Sequence, residues 1–200
     1  MPDLQYFDFG PGGAPDGALG DAIAELNAEV LEAFFSSASG LQWQWRALGA
    51  PARLRLARCP FLLVDSGFAR PELWASLPNF GVHEAVPLRT LLANRSALAT
   101  PLLRRVLLLA WYVARTDRTG ARMALGMSAS CARVVGGRRF ADLEALAERR
   151  PAWIRPRWDQ HPHVWRAWLS AAAQESPRAL ERLRLWGLQK LAADVRRQTE

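Results

Sequence analysis

The chain reads as a mainly α-helical protein, and three observations carry that expectation. Apolar residues recur at helical spacing through most of the second half, as in "LLRRVLLLAWYVAR" from Leu102 to Arg115. Helix-starting residues (Asp21, Thr100 before Pro101, Ser128, Pro177) open such stretches, and glycines or prolines close them. Strand-like alternation is confined to one short region, residues 41–64. Half of the 200 residues are hydrophobic, ample for a packed core.

Residues 1–20, "MPDLQYFDFGPGGAPDGALG", are crowded with glycine and proline and predict a flexible tail. These glycines follow no strand and precede no GK[ST], so they do not make a phosphate loop. Asp21 is a plausible N-cap for a helix over Ala22–Ser37, in which Ile23, Leu26, Val30 and Phe34 share a face and Gly40 follows the end. Beyond it, Leu41, Trp43 and Trp45, then Leu54 and Leu56, fit either a short strand pair or short helices. Residues 65–87 are broken by Gly67, Pro71, Pro78, Gly81 and Pro87 and predict an ordered loop pinned by Phe68, Leu73, Trp74 and Phe80.

From Pro87 the pattern is helical. "PLRTLLANRSAL" is one candidate, and Thr100 with Pro101 predicts the start of a long central helix, because the first helical position needs no N–H. Gly120 weakens that helix by about 1 kcal/mol without having to end it. Gly126 closes it, Ser128 caps "ASCARVV", and Gly136 with Gly137 makes the turn into "RFADLEALAER". In this last helix Phe140, Leu143, Leu146 and Ala147 share one side. Pro151 stops it, "PAWIRPRWDQHP" is an irregular link, and two further helices begin near His163 and at Pro177. No 20–50-residue period repeats, which excludes a solenoid. The expected organisation is a tail (1–20), an acidic N-terminal helical region (21–98) and a basic helical C-terminal domain (99–200) containing a helix-turn-helix-like hairpin.

The net charge of +7 is unevenly distributed. Residues 1–100 carry 7 arginines against 10 carboxylates; residues 101–200 carry 18 arginines and one lysine against 9. A basic half points to a polyanion or an acidic partner, since clustered cations release counterions from phosphates. Abundant arginine with abundant alanine also fits a coding bias. No run of about 18 uncharged apolar residues occurs and the first residues lack signal-peptide character, so no membrane span and a cytoplasmic location are expected. Cys59 and Cys131 are too few for a disulfide framework and are expected to be reduced and buried.

Several motifs of the second half fall in a familiar order. "LLLAWYVARTDRTGARMALGMS" ends a long helix in an acidic-basic pair, Asp117 and Arg118, and a turn, Leu125 and Gly126; "FADLEALAE", "IRPRWD" and "GLQKLAA" follow. Over residues 102–193 this resembles the D subunit of the bacterial flagellar master transcriptional activator. The resemblance implies an all-helical, dimerising domain that acts in the cytoplasm with a zinc-bearing partner subunit, binds DNA poorly alone, and activates promoters as part of a complex. The chain departs from the family in three places. Ile154 stands where the family often carries an interchain disulfide cysteine, Ala124 stands where an arginine usually precedes the leucine-glycine pair, and the acidic N-terminal half has no counterpart.

Two sets of residues are candidate contacts. Arg138, Arg139, Arg149 and Arg150 flank the second hairpin helix and could clamp phosphates of double-stranded DNA, although Asp142, Glu144 and Glu148 on that helix oppose base reading. Asp117, Arg118, Arg155, Arg157 and Trp158 are the candidate partner interface. Arginine interleaved with tryptophan suits stacking on single-stranded bases and protein interfaces alike, whereas Trp165 and Trp168, one turn apart, suit the core. His161 and His163 lack a third ligand, and Ser66 lacks a nucleophile-elbow pattern and an activating histidine. No catalytic group, metal or cofactor is expected. The expected function is non-enzymatic regulation, as a transcriptional regulator or regulator subunit acting as a homodimer or a hetero-oligomer with a partner. The alternative is a protein-interaction adaptor or secretion-system accessory factor without DNA binding.

Overall fold

The computed structural model describes residues 16–36, 40–77 and 96–197, and these fold as a mainly helical protein. The helices are α1 (Asp16–Ser36), α2 (Gln42–Ala47), α3 (Ala50–Ala57), α4 (Pro71–Ala75), α5 (Ser96–Thr116), α6 (Arg118–Leu125), α7 (Ala129–Gly137), α8 (Phe140–Arg149), α9 (Pro162–Ala173) and α10 (Pro177–Arg196). A 3-10 turn spans Pro151–Trp153, and two short strands, β1 (Val64–Asp65) and β2 (Arg155–Pro156), pair antiparallel with Val64 opposite Pro156.

Two apolar cores hold these elements. In the first, Ile23, Leu26 and Val30 of α1 meet Leu103, Val106, Leu107 and Ala110 of α5, and α6, α7 and α8 close around them. The second gathers Leu31 and Phe35 of α1, Trp45, Leu56 and Phe61, and Trp165, Trp168 and Leu169 of α9. Helix α1 therefore feeds both cores from two stripes. Between those stripes, buried Asn27 donates from Nδ2 to the carbonyls of Ala57 (3.1 Å) and Phe61 (3.0 Å) and accepts from the Leu63 N–H at 2.8 Å. Both cores draw on residues from either side of position 98, so that position is not a boundary between cores.

Several elements differ from the sequence expectation. Helix α1 begins at Asp16, inside the expected tail, and Asp21 lies within it instead of capping it. Leu19 packs against the first core, and this tertiary contact outweighs the modest helix penalty of Gly17 and Gly20. Residues 1–15 of that tail lie outside the described residues, as do Phe80 and most of "PLRTLLANRSAL". Helix α5 begins at Ser96, not at Thr100, and carries Pro101 inside it. The central role expected of α5 holds: it packs against α1, α6, α7, α8 and the 3-10 turn.

The alternation at 41–56 resolves as helix. Trp45 and Leu56 are buried while Trp43 is 70% and Leu54 48% exposed, so residues two apart face opposite ways, as on a helix and unlike a strand face. The strand pair exists but joins residue 64 to residue 156 across the two halves. The segment after β1 also holds a short helix, α4, with Phe68 and Trp74 fully buried. The long helix does not run through Gly120. It ends at Thr116, and Asp117 caps α6 by accepting from the Gly120 N–H at 2.9 Å. A Cβ on Gly120 would lie 2.3 Å from the capping carboxylate, so this cap requires glycine.

Gly136 and Gly137 do not make the hairpin turn, since both belong to α7. The extended residues Arg138 and Arg139 turn the chain instead. An added Cβ at Gly136 would stand 3.4 Å from Arg115 and 3.5 Å from the Ala114 backbone, ordinary van der Waals contact, so α7 lies against α5 here without the packing demanding glycine. Gly126 takes the left-handed conformation (φ 63°) and closes α6, and Ser128 Oγ accepts from the Cys131 N–H at 3.1 Å to start α7, as the sequence indicates.

Candidate functional site

The hairpin formed by α7 and α8 has little free cation at its hinge. Arg138 Nη2 donates to the carbonyls of Trp74 (2.8 Å) and Leu77 (3.0 Å), fastening the end of α4, and its own carbonyl accepts from Trp111 Nε1. Arg139 grips Asp142 through two bonds of 3.0 and 2.9 Å. Those hydrogen bonds hold the Asp142 carboxyl below its ordinary value. Glu144 and Glu148 on α8 face Arg104 of α5 at 3.8 and 3.2 Å. Arg149 is half-buried and Arg150 is exposed. Helix α8 is thus an acidic strut tied to its neighbours, and of the four expected clamp residues Arg138 and Arg139 are engaged within the chain.

The linker residues separate into interior and surface. Arg157 is buried, with Nε donating to the Leu62 carbonyl (2.6 Å) and Nη2 to the Leu125 carbonyl (2.7 Å). Its peptide group donates to Leu63 and accepts from Trp165 Nε1. Among the described residues no carboxylate lies within salt-bridge distance of it, and burial pushes its pKa down. Arg157 therefore joins residues 62–63, the end of α6 and α9, a structural role in place of the expected partner contact. Trp158 is half-buried in a left-handed backbone conformation (φ 56°), edge-on to Phe61 (6.0 Å between centroids) and against Trp186 (5.0 Å). Gly187 makes that room, since a Cβ there would stand 3.2 Å from Trp158 and 2.3 Å from Phe61. Arg155 on β2 is exposed.

Besides the exposed Arg150 and Arg155, one face of α6 points outward. Ala121, Ala124 and Leu125 are buried, whereas Arg118 and Arg122 are exposed and Met123 is 52% exposed. Neither arginine forms an ion pair or hydrogen bond among the described residues. The helix is capped at both ends by Asp117 and Gly126, so its outer face is held rigidly. Arg118 and Arg122, one turn apart on this fixed scaffold, can receive carboxylates, and Met123, about 100° round the helix from Arg122, adds an apolar side chain at the border of the same exposed arc. Sequence reading reached Asp117 and Arg118 but missed Arg122 and Met123. Their signal lay in the spacing of Arg118, Arg122 and Met123 against the small residues Ala121 and Ala124.

Other reactive groups are isolated. His161 and His163 are exposed with ring centroids 5.7 Å apart, and among the described residues no cluster of three or more metal-ligating side chains occurs. Both cysteines are buried and free. Burial pushes the Cys59 thiol up to about 12 and raises that of Cys131 as well. Among the described residues no helix is long and apolar enough to cross a membrane. No protein-family model, curated protein or solved structure matches the chain.

Proposed function

We propose that the protein is a non-enzymatic, cytoplasmic regulatory subunit that docks an acidic partner protein on the outer face of α6. The observation that carries this reading is the pairing of free Arg118 and Arg122 with exposed Met123 on a doubly capped helix. Arginine and methionine are both enriched at the cores of protein interfaces. The resemblance of residues 102–193 to the flagellar activator D subunit supports a transcriptional setting, in which a homodimer or hetero-oligomer supplies DNA contacts jointly. An adaptor without DNA binding is the second reading, favoured by the inward bonds of Arg138 and Arg139 and the carboxylates of α8.

Affinity isolation from the native cells, comparing wild type with R118E/R122E, tests the docking face. A stable companion protein should be recovered with the wild type and lost with the charge-reversed chain. Equal recovery with both would refute the α6 assignment. Duplex binding by the recovered complex, measured across a salt series, separates the transcriptional reading from the adaptor.

A further inference from the structure

A second cationic surface lies away from α6, in an open groove of about 550 Å³ between the end of α3 and the start of α10. Arg55, Arg58, Arg178 and Arg184 line it together with Glu181 and buried Leu180. Two of the four arginines form a fixed wall. Arg184 Nη2 donates to the Arg55 carbonyl at 2.9 Å, while Arg55 Nη2 donates to the Ala172 carbonyl at 3.3 Å and pairs with Glu175 at 3.0 Å. Arg184 Nη1 stands 3.6 Å from Glu181. Each of these arginines also keeps a buried Nε–H with no acceptor. Those two atoms are sealed from solvent, so they belong to the wall and are not offered to a ligand.

The other two, Arg58 and Arg178, are exposed and form no ion pair among the described residues. Four guanidiniums against the two carboxylates Glu175 and Glu181 leave two positive charges over an apolar floor. We infer that this groove binds a compact phosphoryl anion, a phosphate monoester or pyrophosphate group. The volume falls in the range of about 300–1,000 Å³ usual for small-ligand sites. Guanidinium forks match phosphate oxygens two at a time, and the bonded Arg55 and Arg184 leave only Arg58 and Arg178 to close on the ligand. Glu175 and Glu181, with side chains 73% and 62% exposed, repel the flanking charges of an extended polyanion, which favours a compact one.

This site shares no residue with the α6 face, so either assignment can fail alone. Isothermal titration of the full chain with pyrophosphate and with phenyl phosphate tests it, alongside two double variants that each remove two cations. R58Q/R178Q removes the free pair of the groove; R118Q/R122Q removes two free arginines elsewhere. Saturable one-to-one binding is expected, weakened at least about tenfold in R58Q/R178Q and unchanged in R118Q/R122Q. Thermal melts establish that each variant is folded, and R58Q and R178Q singly replace the double variant if it is not. Absence of saturable binding, equal loss in the two double variants, or preferential binding of long-chain polyphosphate over pyrophosphate would each overturn the assignment.

Discussion

Replacing Arg157 with methionine distinguishes a structural strut from a docking residue. Methionine keeps an unbranched apolar stem but removes the donors to the Leu62 and Leu125 carbonyls. Each lost charge-assisted bond is worth about 1.5–3 kcal/mol, so the gross loss is about 3–6 kcal/mol. Against it stands the cost of burying a guanidinium without a carboxylate partner, several kcal/mol, which the substitution returns. The expected net destabilisation is about 1–3 kcal/mol, because orphaned carbonyls outweigh the relieved desolvation. Urea denaturation followed by tryptophan fluorescence reads this directly, and the melting temperature should fall by about 3–10 °C. An unchanged or raised stability would show that these two hydrogen bonds do not hold the fold. Lost partner recovery at unchanged stability would restore Arg157 to the interface.

Further outcomes follow from the packing and the polar contacts. Gly187→Ala drives a methyl against Phe61 and should cost about 1–3 kcal/mol or more, whereas Gly20→Ala, with nothing within 4 Å, should stabilise by up to about 1 kcal/mol. Equal effects of the two in thermal melts would contradict the assigned close approach. Asn27→Asp replaces the amide nitrogen and its two N–H donors with one carboxylate oxygen facing the Ala57 and Phe61 carbonyls and should cost about 3–5 kcal/mol in chemical denaturation. A near-neutral result would mean that the amide does not hold α1 to the 57–63 segment. The Asp142 carboxyl, bonded by Arg139, titrates below its ordinary value of 3.8. The pair therefore stabilises the fold above that value and loses its contribution as the pH falls through the folded-state value. Arg139→Gln should lower the melting temperature at neutral pH and leave it unchanged well below pH 3.8; a difference that persists in acid would point to another role for Arg139.

Where local chemistry decides the backbone, the sequence reading and the structure agree. Gly126 in the left-handed conformation and the Ser128 cap depend on neighbours within three residues, and the wide apolar face of α5 announces a central helix. Where a distant contact decides, local reading misleads. Gly136 and Gly137 look like a turn, yet both continue α7, which is held in place by its packing against α5. Trp43 and Trp45 look like strand alternation, and only burial of one and exposure of the other reveals a helix. The candidate sites suffered most from this. Charge and composition cannot tell an arginine that clamps a partner from one, like Arg138 or Arg157, that hydrogen-bonds carbonyls tens of residues away. Nor does a linear reading join Arg55 and Arg58 to Arg178 and Arg184, since α3 and α10 are far apart in the chain.

On the proposed reading the chain acts through a docked partner and its hairpin does not read DNA alone. Fluorescence anisotropy of the isolated chain against duplexes of different sequence, across a salt series, tests it most directly. Weak binding that ignores sequence and vanishes at physiological salt is expected, unchanged by Arg139→Gln because that guanidinium is already held by Asp142. Tight binding to one sequence, abolished by Arg139→Gln, would contradict it.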